Sequence, residues 1–156
     1  MKFLAIDPGT RIAGFACGSL CDGKISVYEV DILKLPAQES LTHRVRLFHD
    51  FFAHKIIEQH IDAIALETPF LGKNAQNFLK LGYLRGILHL LADINSLQLY
   101  EYSPTHIRSC IVGSGSANKE QVARALALFF PGFVQPKTLD ATDALAVLLC
   151  ALWSLK

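Results

Sequence analysis

The chain has almost no net charge. Fifteen Lys and Arg stand against fourteen Asp and Glu, a formal +1. That excludes an overall basic surface, so any contact with nucleic acid has to be built from local positive charge. Cysteines are few: Cys17, Cys21, Cys110 and Cys150 form no CxxC pair and show no paired metal-ligand spacing. They read as scattered reduced thiols in a cytoplasmic protein. Long apolar runs are missing as well. The N-terminal run breaks at Asp7, too soon for a signal peptide, and the apolar stretch from Ala144 to Leu155 is too short to span a bilayer. There is no internal repeat, low-complexity tract or long linker. What is present is a 51% hydrophobic, 19% charged chain of 156 residues, expected to form one domain over residues 1–156 with a sizeable core.

Three β patterns open the chain, at Phe3 to Asp7, Ile12 to Ser19 and Ile25 to Val30. "PGTR" joins the first two, and Asp22-Gly23 is a strong hairpin signal for the second pair, so the opening reads as an antiparallel meander. The period then changes. Leu41, Val45, Phe48, Phe52 and Ile56 recur at helical spacing and predict a helix over about 40–60. Ile61 to Glu67 reads as a strand, 74–94 as a helix and Leu97 to Tyr102 as a strand, and Pro104 opens a short helix. A helix follows the loop "VGSGSAN" and ends at Pro131-Gly132. A last one runs from about Leu139 to Ser154. A meander followed by alternating helices and strands predicts an α/β fold, a mixed sheet flanked by helices. His43, His49, His54 and His60 fall in the first helix and read as surface residues.

Four carboxylates stand out by position. Asp7 ends the first strand and Glu67 the fourth, each with a proline soon after it. If those strands are parallel neighbours, both acids lie at one edge of the sheet. Asp140 and Asp143, at i and i+3, share a face of the first turn of the last helix. Each acid alone has a plain structural explanation as a turn former, a solvated strand end or a complement to a helix dipole. Together they would repel one another. Convergent oxygen ligands suit Mg²⁺ or Mn²⁺, and two such ions about 4 Å apart are a common device for phosphodiester hydrolysis.

The segments "AIDPGTRIAGFA", "ALETPFLGKNAQNFLKLGYLRG", "YEYSPTHIRSCIVGSGSANKEQV" and "LDATDALAV" resemble, in order and spacing, the RuvC family of bacterial Holliday junction resolvases. The likeness covers nearly the whole chain. It implies a ribonuclease H-like fold with a five-stranded mixed sheet. It implies a homodimer that nicks two symmetric strands of a four-way DNA junction during recombination and repair, leaving 5′-phosphates. Asp7, Glu67, Asp140 and Asp143 match the family's metal-binding acids, with two Mg²⁺ per site and Mn²⁺ as a substitute. Phe70 matches an aromatic set against unstacked bases, a contact worth about 1–3 kcal/mol. Lys119, at a helix start, matches a lysine near the scissile phosphate. Arg108 stands where relatives often carry lysine, and Lys73 joins these DNA-binding candidates. The helix over 74–94 matches the family's dimer helix, with Phe78, Leu81, Gly82, Arg85 and Gly86 as interface candidates; Gly82 and Gly86 allow close backbone approach. The resemblance further implies action at the nucleoid and a partnership with the RuvA–RuvB branch-migration complex.

Other readings stand beside this one. GxxxxGK[ST] fails as a P-loop, because Asn118 replaces its second glycine and Glu120 its Ser or Thr. "DPGT" also resembles the first phosphate motif of actin-like ATPases, but no second Asp-Gly-rich motif follows. A nuclease for RNA–DNA hybrids or structured RNA, or a catalytically silent junction-binding module, would use the same fold.

Overall fold

Alternation in β1 (Lys2–Asp7) sends Phe3 and Ala5 to one face of the sheet and Leu4 and Ile6 to the other, and all four are fully buried. A strand buried on both faces belongs in the middle of a covered sheet. The computed structural model describes residues 1–69, 74–130 and 139–155, and β1 is central in it. The other strands are β2 (Ile12–Cys21), β3 (Lys24–Lys34), β4 (Ala63–Glu67) and β5 (Gln98–Tyr102), in the order β3-β2-β1-β4-β5. β1, β2 and β3 form the expected antiparallel meander, and β4 and β5 join in parallel. Asp22 and Gly23, both at positive φ, make the two-residue turn between β2 and β3.

Several boundaries differ from the sequence reading; β2, for one, runs two residues further, to Cys21. β3 continues to Lys34, because its pairing with β2 runs on to Ile12. β4 starts only at Ala63; Asp62 instead accepts a 2.7 Å hydrogen bond from the Lys2 amide through its side chain.

Helices α1 (Leu41–Gln59) and α2 (Ala75–Ile94) cover the face bearing Leu4, Ile6, Ile64 and Leu66. Helices α3 (Pro104–Val112), α4 (Lys119–Phe129) and α5 (Leu139–Ser154) cover the other. There the strands present Ala5, Ala16, Ala63 and Ala65. Small side chains let α5 lie close to the sheet, and it is buried almost all round. Ser40, Asn74, Ser103 and Asn118 cap α1 to α4 at their N-termini, and Asn118 and Gln121 form a reciprocal capping box. His60 ends α1 in the left-handed conformation, so it is a cap rather than a helical residue. His54 and His60 are exposed as expected; His43 and His49 are half-buried.

Candidate active site

Parallel pairing of Ile6 with Leu66 leaves the next residues, Asp7 and Glu67, side by side at the end of the sheet. Parity does the rest. Asp7 follows Ala5, and Glu67 follows Ala65, so both belong to the face that α5 covers. The first turn of α5 brings Asp140 and Asp143 to the same place. That approach needs Gly14, which pairs with Asp7 across β1 and β2. A Cβ on Gly14 would stand 1.9 Å from the carbonyl oxygen of Asp140. The glycine therefore serves close helix packing.

Glu67 is held from the α2 side. Arg85, only 9% exposed, donates from Nη1 to the Glu67 carbonyl oxygen at 2.7 Å and from Nη2 to the carboxylate of Glu101. The ladder also continues one step past Glu67, where the Thr68 amide donates to the Tyr102 carbonyl at 2.8 Å. A guanidinium clamped between the backbone of one strand and a side chain of the next fixes where the fourth strand ends.

Electrostatics mark the four acids as one cluster. Burial, and then the charges of Asp143, Glu67 and Asp140, push the Asp7 carboxyl up to about 7, with Lys119 opposing. Glu67 is raised as well, by burial and then by Asp143, against Lys119, Arg108 and Arg85. Lys119 Nζ donates to Asp143 Oδ2. Burial alone would lower its ammonium, but the hydrogen bond and charge of Asp143, joined by Asp7 and Glu67, raise it. Arg108 lines the same recess as Glu67, Lys119 and Asp143. The cluster has too little positive charge of its own, and its donors are all carboxylate oxygens. Those properties fit hard divalent cations.

Beside the acids runs an apolar groove of about 470 Å³, lined by Asp7, Glu67, Phe78, Leu81 and Arg85 among others. The α2 interface candidates Phe78, Leu81, Gly82, Arg85 and Gly86 all line this groove. Arg85 is buried within the protomer, and Phe78 and Leu81 are half-buried along this groove, because that side of α2 faces the sheet. Gly82 and Gly86 are exposed at the edge of the groove. Next to them, on the outer side of the helix, stand Leu79, Tyr83, Leu90 and Ile94, exposed at 59%, 49%, 48% and 65%. Helical spacing could have separated the two faces, but both are apolar and the period alone does not say which one packs inward. Phe70 and Lys73 lie outside the described residues.

The thiols are also not all scattered. Cys110 on α3 and Cys150 on α5 meet His106, whereas Cys17 and Cys21 stay apart on β2. The i, i+4 spacing of His106 and Cys110 was the available signal; the third member is far off in sequence.

Comparison with known proteins agrees with this geometry. The family described as "Crossover junction endodeoxyribonuclease RuvC" matches residues 3–151. A crossover junction endodeoxyribonuclease RuvC of Christiangramia forsetii is 38% identical over 94% of this chain and 77% of its own. That of Prosthecochloris aestuarii is 36% identical over 97% and 81%. The structure of T. thermophilus RuvC in complex with Holliday junction substrate superposes with a TM-score of 0.88 at 24% identity, covering 99% of this chain and 94% of that one. The fold is ribonuclease H-like.

Proposed function

Because this chain belongs to the RuvC family of crossover junction endodeoxyribonucleases, which resolve Holliday junctions, we propose that Asp7, Glu67, Asp140 and Asp143 are its catalytic, metal-binding residues. The observation that carries this is the convergence of the four carboxylates from two strands and a helix, with Asp7 raised to about 7 by burial and by its neighbours. The four carboxylates would hold two Mg²⁺, or Mn²⁺ in their place, and such ions would supply an activated water and neutralise charge on the leaving oxygen. The four acids hold and space these ions. Lys119 and Arg108 grip the phosphate from the α3 and α4 side, where both face the acids. Arg85 keeps Glu67 in register. The apolar groove takes an unpaired nucleotide from the open centre of the junction, and Phe70 and Lys73 add contacts in the segment after Glu67.

Water attacks the phosphodiester in line, leaving a 5′-phosphate and a 3′-hydroxyl. The whole of residues 1–156 acts as a single nuclease domain. Its outer α2 face makes a homodimer, whose two-fold axis matches that of the four-way junction and pairs the nicks. The enzyme works in the cytoplasm, on the nucleoid, with the RuvA–RuvB branch-migration complex as partner. Among the described residues no helix is long and apolar enough to cross a membrane.

The test is cleavage of a synthetic mobile four-way junction with Mg²⁺ or with EDTA, beside linear duplex and RNA–DNA hybrid. Paired, ligatable nicks are expected in the junction only, and only with metal. Asp7→Asn should abolish cutting and leave junction binding largely intact. Retained cutting by this variant would remove Asp7 from the mechanism, and cutting of the hybrid alone would overturn the substrate.

A further inference from the structure

We propose that His106, Cys110 and Cys150 form a binding site for zinc, separate from the four acids. His106 and Cys110 sit one turn apart on the same face of α3, and α5 supplies Cys150. One ligand atom from each side chain lies within 4.8 Å of the other two. The Cys110 Sγ to His106 Nε2 distance is 3.5 Å. Tetrahedral zinc, with Zn–S of about 2.3 Å and Zn–N of about 2.0–2.1 Å, separates its ligand atoms by roughly 3.5–3.8 Å, so the cluster needs only small side-chain adjustments.

The donor set decides the metal. Two thiols and an imidazole are poor ligands for Mg²⁺, which the carboxylates attract, and good ones for zinc. The surroundings resemble a metal site more than a chance contact. Cys150 is buried, Cys110 half-buried and His106 exposed, so apolar core closes one side and solvent can supply a fourth ligand on the other. The His106 ring is stacked on Tyr102, with centroids 5.8 Å apart and planes 12° apart, which restricts its rotation. Zinc entry drives the two thiol protons into solvent and leaves two thiolates on the metal. The ion then ties α3 to α5, the helix whose first turn carries Asp140 and Asp143.

The experiment titrates the full chain, reduced and freed of metal, with zinc against a chromophoric chelator in excess Mg²⁺. Cobalt(II) serves as a spectroscopic probe of thiolate ligation. One zinc per chain and a thiolate-to-cobalt charge-transfer band are expected. Cys110→Ser and His106→Ala should each weaken zinc about 100-fold or more, since loss of an outer partner alone costs about 10–100-fold. Cys21→Ser, on the exposed end of β2, should bind like the parent chain. Zinc should also raise the melting temperature of the parent and not of Cys110→Ser. The site is refuted if Cys110→Ser keeps the parent affinity, or if cobalt gives no thiolate band. Cys150→Ser adds the third ligand where circular dichroism shows it folded; Cys110 and His106, less buried, carry the test on their own.

Discussion

Asp7 is both the centre of the site and a cost to the fold. Its carboxyl is buried among three other acids, and among the described residues Lys119 is the charge that opposes the repulsion. Because its folded pKa lies near 7, above the usual carboxylate value, the metal-free protein loses stability as pH rises from about 4 through 7. Below that range Asp7 is neutral in both states and the penalty disappears. Asp7→Asn should therefore stabilise the metal-free protein at pH 8 by about 1–3 kcal/mol. The gain should vanish toward pH 4. Urea melts in EDTA at the two pH values measure it. An equal or lower stability at pH 8 would mean that Asp7 sits in a less hostile environment than its neighbours imply. Arg85 is a second residue whose role came from structure. Its position in the sequence suits a dimer face, yet its guanidinium spans Glu67 and Glu101 inside the protomer.

At the scale of elements, the site depends on how closely α5 approaches β2. Alanines on the sheet and Gly14 opposite Asp7 make that approach possible. Gly14→Ala would drive a methyl group into the Asp140 carbonyl and push the start of α5 outward. The expected loss of stability is about 1–3 kcal/mol, the range for overpacking. Cleavage should fall further, by about 100-fold, since a displacement of about 1 Å at a catalytic group has that effect. Junction cleavage rates and urea melts on the same preparation check both numbers. Parental cleavage would show that α5 can shift without moving its acids. The order of helices and strands was legible beforehand, and their ends to within a few residues. Caps at Ser40, Asn74, Ser103 and Asn118, and the turn at Asp22-Gly23, are local chemistry.

For the whole molecule, the outer face of α2 carries the two-fold assembly proposed above. Leu79, Tyr83, Leu90 and Ile94 are exposed around Gly82 and Gly86, which leave room for close backbone contact. Leu79→Glu touches nothing in the protomer core, so the fold should survive. Sedimentation should show a shift from dimer to monomer at micromolar concentration, and paired nicking should be lost with it. A dimer that persists in this variant would place the interface elsewhere. A net charge of +1 adds a further consequence at this scale. Junction affinity has to come from cations gathered near the acids, such as Lys119 and Arg108, rather than from an overall field.

By itself the sequence determined the succession of strands and helices, because periodicity and caps are local properties of neighbouring residues. It also singled out Asp7, Glu67, Asp140 and Asp143, because a carboxylate that ends an apolar run or opens an apolar helix is conspicuous without coordinates. Tertiary structure alone decided which face of α2 packs inward and why Gly14 must be glycine. It alone turned Arg85 into an anchor and brought Cys150 to His106 and Cys110. Those facts depend on residues far apart in the chain meeting across a sheet or between helices, and no local pattern encodes which of several apolar faces finds which partner.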